Sequence, residues 1–141
     1  MTQPHSLTGI LIAAIVAWLF GAVYYTLLAP RWLAAQGKTV EQHKAELAAK
    51  PAWRKALPFV LSFVAEFLMG MTLYGIMTHG NLFYARAGAI SGAFCWFGLV
   101  LTTMAVNNAY AGRRAALTVI DAAHWLGVLV IIGAVVGAWG P

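Results

Sequence analysis

Glu66, Asp121 and His124 stand inside otherwise apolar stretches of the chain, and proton transfer or polar ligand binding would have to be built from them. A charged side chain at the centre of a membrane helix costs about 2.5–3.5 kcal/mol on the insertion scale. Between residues 56 and 79, ten Leu, Ile, Phe and Val residues offset that penalty for Glu66, at about 0.3–0.6 kcal/mol each. They permit insertion without giving a reason for the carboxyl. Packing rarely needs an ionisable group there, so these three residues are read as functional.

Asp121 and His124 are three apart and Thr103 and Asn107 four apart, so each pair projects from one helical face. With Asn108, Tyr24 and Tyr25 they form a candidate set for a pocket that binds a solute or relays protons. In that set Glu66 and His124 are the ionisable core, Asp121 sets the charge of His124, and Asn107 and Asn108 donate hydrogen bonds. The competing account is interhelical hydrogen-bond glue, worth about 0.6–2 kcal/mol per contact, and it suits the asparagines and threonines better. No hydroxyl or thiol nucleophile has a spaced base and orienting acid, so no catalytic residue is assigned and an enzyme is the less favoured class. Asp121 and His124 are too few for a metal site, and no cofactor is expected.

These residues need helices to hold them. Apolar segments at about 8–29, 56–79, 87–110 and 115–139 each exceed the roughly 20 residues that cross a hydrocarbon core. Backbone groups in lipid must be satisfied internally, which selects helices; a barrel's alternating ten-residue segments are missing. The fold class is therefore all-α, an integral membrane four-helix bundle forming one transmembrane domain over 1–141. Residues 1–6 contain no Lys or Arg, so the first segment is read as a span and not as a signal peptide.

Composition agrees. Of 141 residues 62% are hydrophobic and 9% charged, with a mean hydropathy of +0.78, whereas a soluble domain carries about 25% charged residues. The net charge of +5 sits in loops, as a topology signal and a contact for anionic lipid, which argues against nucleic acid as a partner. Six Lys and Arg lie between the first two spans and two, Arg113 and Arg114, between the last two; Arg86 stands alone on the other side. The basic loops are thus assigned to the cytoplasm and both termini to the outside. On that orientation Glu66 lies roughly 15 Å from the cytoplasmic edge, and Asp121 and His124 roughly 9 and 13 Å. Polar side chains gather in the inner half.

The cytoplasmic segment 30–55 carries a capping box, Thr39 with Gln42, a stop at Pro51, and Glu46 with Lys50 in the favourable i,i+4 order. A short interfacial helix is predicted there, with Trp32 and Trp53 as anchors. Gly88 with Gly92 and Gly133 with Gly137 let helix backbones approach closely, within the bundle or between protomers. Trp18, Trp96 and Trp125 lie deep in their spans, each expected to pack with its indole donor on a neighbouring helix. Cys95 is the one cysteine and is read as a small packing residue. A faint internal parallel sets Ala65-Glu66-Phe67-Leu68 with Gly75 against Ala123-His124-Trp125-Leu126 with Gly133, which makes Glu66 and His124 equivalent positions.

At Gly21 with Tyr24-Tyr25-Thr26, Trp32, Gly37, Trp96-Phe97-Gly98, Thr102-Thr103, Asn107-Asn108, Asp121 and His124-Trp125-Leu126, the chain resembles a bacterial membrane family catalogued as domain of unknown function seventeen sixty-one. The resemblance covers nearly the whole chain and implies four spans, but no activity. The family's first motif usually has a proline after its Ser or Thr, where this chain has Leu27. The expected protein is a small polytopic inner-membrane protein, embedded in lipid and homo-oligomeric, with a cytoplasm-facing pocket for solute or proton handling. The alternatives are an accessory subunit of a larger membrane complex and an enzyme acting on a lipophilic substrate.

Overall fold

The computed structural model describes residues 4–141, and among them it contains helices and no strands. The elements are α1 (Pro4–Ala35), α2 (Val40–Ala49), α3 (Ala52–Gly80), α4 (Ala85–Cys95), a π-helical segment (Trp96–Leu101), α5 (Thr102–Tyr110) and α6 (Ala115–Trp139). Since α4, the π segment and α5 run on as a single rod, four helices are long and apolar enough to cross a membrane. The chain is a multi-pass membrane protein, a helical bundle with one short helix between its first two long ones.

α6 is the centre of the bundle, packed against α1, α3 and α4. Its seam with α4 is made of glycine. A Cβ on Gly88 would fall on the Gly133 carbonyl, one on Gly133 on the Gly88 carbonyl, and one on Gly92 on the Leu129 carbonyl. A Cβ on Gly137 would come within 2.6 Å of the Tyr84 oxygen. Both small-residue faces are thus spent inside one chain, backbone against backbone. The internal parallel does not extend to these positions, because Gly75 has nothing within 4 Å.

The buried core is Ile10, Ala13 and Ala17 from α1, Leu73 and Met77 from α3, and Val128, Leu129, Ile132 and Val136 from α6. All of them lie toward the end of the bundle where α1 begins and α6 finishes. The opposite end, under α2, is where the helices part.

The helix ends follow local chemistry. α1 passes Leu27 without a break and continues through Pro30 to Ala35, six residues past the boundary expected at 29. It stops in a Schellman turn, with Gly37 at φ +74°, Lys38 N–H on the Leu33 carbonyl and Gly37 N–H on Ala34. A left-handed residue there needs glycine. α2 starts at the capping box, Thr39 accepting from the Gln42 N–H while Gln42 accepts from the Thr39 N–H. Glu46 does not pair with Lys50, because Lys50 has already left the helix with extended backbone. It accepts from Lys38 at 2.7 Å instead.

That bond from Lys38 holds the Glu46 carboxyl below its ordinary range. A depressed carboxylate stabilises the fold above its unfolded pKa and loses that contribution as pH falls through the folded value. The pair is therefore complete at neutral pH and released only in acid. Its solvent-exposed position keeps its effect on stability small. A carbon-13 NMR titration should place the Glu46 midpoint below that of a free glutamate, and Lys38→Met should raise it. A midpoint that Lys38→Met leaves unmoved would reject the pair.

Candidate functional site

Under α2, between α1, α3 and α6, lies a cavity of about 850 Å³. One wall is a stripe on α1: Trp18, Ala22, Tyr25, Ala29 and Trp32, at steps of three and four residues. α3 supplies Phe59, Ser62 and Glu66, and α6 supplies His124 and Trp125. Lys38, His43 and Glu46 line the mouth from the α2 side, with Lys50, Arg54 and Lys55 where the chain enters α3.

Glu66 is 1% and His124 5% exposed. Each has a buried polar atom without a hydrogen-bond partner, Oε2 of Glu66 and Nδ1 of His124. The imidazole sits in an aromatic nest. It stacks on Phe20 at 6.1 Å and 8°, with Tyr25 at 4.8 Å, Trp125 at 5.0 Å and Tyr24 at 5.5 Å. Gly21 leaves it room, since a Cβ there would stand 2.8 Å from Nε2. Phe20 in turn lies over Gly127, where a Cβ would strike its ring.

Asp121 reaches across to α1. Its Oδ1 accepts the Tyr25 hydroxyl at 2.7 Å and the Trp32 indole N–H at 3.0 Å. It binds α1 to α6 and fixes the aromatic wall, while Nδ1 of His124 stays unpartnered beside it. Tyr24 also ties the two helices, donating to the Ile120 carbonyl at 2.8 Å. Trp32 is thus a wall residue held by Asp121, whereas Trp53 is 61% exposed with the Arg54 guanidinium 5.1 Å over its ring.

Thr103, Asn107 and Asn108 lie away from the cavity. Asn108 donates to Thr118 Oγ1 at 2.9 Å, as glue between α5 and α6, and Thr103 and Asn107 face outward. The cause is the π segment. Continued as an α-helix, the face carrying Gly88 and Gly92 would bring Thr103 and Asn107 toward α6. A π turn takes in an extra residue, and Trp96, Val100, Met104 and Asn108 occupy the less exposed face instead. Trp96 anchors it, donating to the Ala122 carbonyl at 2.7 Å, and Trp18 likewise donates to Phe59 O at 3.0 Å.

The structure therefore brings together Glu66, His124 and Tyr25, places Asp121 and Tyr24 directly behind them, and leaves Thr103, Asn107 and Asn108 outside. The α1 stripe and the basic mouth are additions to the site. The stripe's spacing from Trp18 to Trp32 is visible in the sequence; its orientation toward Glu66 is a matter of tertiary packing. Among the described residues no group of three or more His, Cys, Asp or Glu stands where it could hold a metal ion.

A family model described as a protein of unknown function, DUF1761, matches residues 8–137. No curated protein and no solved structure matches.

Proposed function

The chain belongs to the DUF1761 family of unknown function, and from that premise we propose a bacterial inner-membrane protein whose cavity takes up a small solute from the cytoplasmic side. The observation that carries this is the pair Glu66 and His124. Both are buried, both line one cavity, and each keeps a polar atom that the fold does not satisfy. Leaving such a group unpaired costs about 1–3 kcal/mol. Glue between helices accounts for Asp121, Tyr24 and Asn108, which have partners, and not for these two. A ligand that completes both does.

The sidedness follows from charge. Lys38, Lys50, Arg54 and Lys55 surround the mouth, and the excess of basic residues belongs with the cytoplasm, leaving both termini outside. The far half of the bundle is filled by the core. Moving a solute right across would then require more than one copy, so the proposal includes a homo-oligomer in the lipid. The accessory-subunit alternative loses one support, since its glycine faces are engaged within the chain.

Cysteine labelling tests the cavity. In a Cys95→Ala background, Ser62→Cys should react with a membrane-impermeant maleimide added to inside-out vesicles, at least about tenfold faster than in right-side-out vesicles. That asymmetry is what sidedness set by basic loops requires. Silence from the cytoplasmic face, with full reaction after denaturation, would remove the water-accessible cavity.

A further inference from the structure

Resting on that reading of the cavity, we infer the class of its ligand: a bipolar organic acid, with a hydrogen-bond donor such as an amine or hydroxyl at one end, an apolar middle, and an anionic group at the other. Three independent features of the cavity lead there.

The deep end carries a carboxyl acceptor, Glu66, that the fold leaves unpaired. The hydroxyls of Tyr25, Thr26 and Ser62 already donate to Asp121, Ala22 O and Pro58 O. The indole N–H groups of Trp18 and Trp32 donate to Phe59 O and Asp121. What stands buried and unpartnered is a carboxyl oxygen of Glu66 and a ring nitrogen of His124 at this end, and the Gln36 amide nitrogen, a donor, just past the end of α1. A carboxyl accepts hydrogen bonds in either protonation state. A ligand end that brings donors satisfies this floor, and an aliphatic end leaves it as unsatisfied as an empty cavity does.

The middle is aromatic and aliphatic. Trp18, Phe59 and Trp125 line it, with the methyl and methylene surface of Ala22, Ala29 and Leu47. A polymethylene chain or a flat ring fits such walls, and a strongly hydrated body such as a sugar does not.

The mouth is cationic. Glu46 is taken by Lys38, and Lys50, Arg54 and Lys55 hold no ion pair among the described residues. An anionic end is attracted there, and a purely cationic amphiphile is repelled. From Arg54 and Lys55 to Glu66 the helix rises roughly 17 Å. The long basic side chains can reach back along that rise, which leaves about 10–15 Å between the ligand's two ends.

The test uses the full chain in nanodiscs and three probes of one length: 11-aminoundecanoate, undecanoate and undecylamine. Heats of binding are measured by titration against empty discs. The bipolar probe should bind about tenfold or more tighter than either one-ended probe, as one charge-assisted hydrogen bond at the missing end would give. Glu66→Leu should reverse the order and favour undecanoate, a gain that a misfolded protein does not show. Arg54→Gln with Lys55→Gln should weaken 11-aminoundecanoate and leave undecylamine no weaker. Equal binding of undecanoate and 11-aminoundecanoate would overturn the ligand class while leaving the cavity in place. Binding of none of the three would also overturn the class, and the Ser62→Cys labelling would then decide whether the cavity falls with it.

Discussion

Gly133→Val is expected to abolish the folded bundle, or to weaken it by about 3 kcal/mol or more. Overpacking typically costs about 1–3 kcal/mol when side chains can shift, but the obstacle here is the Gly88 carbonyl, part of a helix backbone. α4 and α6 would have to separate along their whole seam. In lipid no hydrophobic force between helices makes up for lost contact, because close packing is what holds them. Gly75→Ala is the control: its Cβ meets nothing within 4 Å, and a small gain of about 0.5–1 kcal/mol is expected from helix propensity. The measurement is helicity against SDS fraction in mixed micelles. A wild-type midpoint for Gly133→Val would reject the seam, and with it the placement of the helix that carries Asp121 and His124.

Asp121→Ala should be the most damaging polar substitution, at about 3 kcal/mol. One carboxyl oxygen accepts from both Tyr25 and Trp32, and hydrogen bonds to a charged acceptor contribute about 1.5–3 kcal/mol each. Removing it leaves two donors unpaired between α1 and α6. Asp121→Asn retains an acceptor oxygen and should recover part of the loss. Tyr25→Phe and Asp121→Ala should be non-additive, with a coupling of about 0.5–3 kcal/mol in a double-mutant cycle on the same SDS titration. Strict additivity would show that the two side chains do not meet.

How much of this was legible beforehand differs from element to element, for physical reasons. The long helices and the capped α2 rest on hydrophobic run length and on side chains a few residues apart, which are local properties. Glu66 and His124 stood out because an ionisable group in an apolar span has to be explained. The helix of the first span outruns its apolar stretch through Pro30 to Ala35, since a proline's missing N–H and ring do not by themselves stop a helix that packing on both sides sustains. Lys38 displaced Lys50 as the partner of Glu46 because the helix had ended one residue too soon. Thr103 and Asn107 stand apart from the cavity because the π segment shifts the phase of the rod, which no local pattern of residues 96–101 reveals. Trp32 looked like an anchor at the membrane surface because its acceptor, Asp121, is 89 residues away.

The wide turn at Trp96–Leu101 also bears on how such a chain tolerates change in its length. Both flanks are pinned: the glycines of α4 lie against α6, and Asn108 holds α5 to Thr118. An additional residue between them can be stored as slack in the π turn, so neither flank has to rotate. Genetically, that makes this stretch the place where a one-codon deletion removes the stored residue and leaves both docked faces where they were, whereas the same deletion elsewhere in the rod swings everything after it by about 100°.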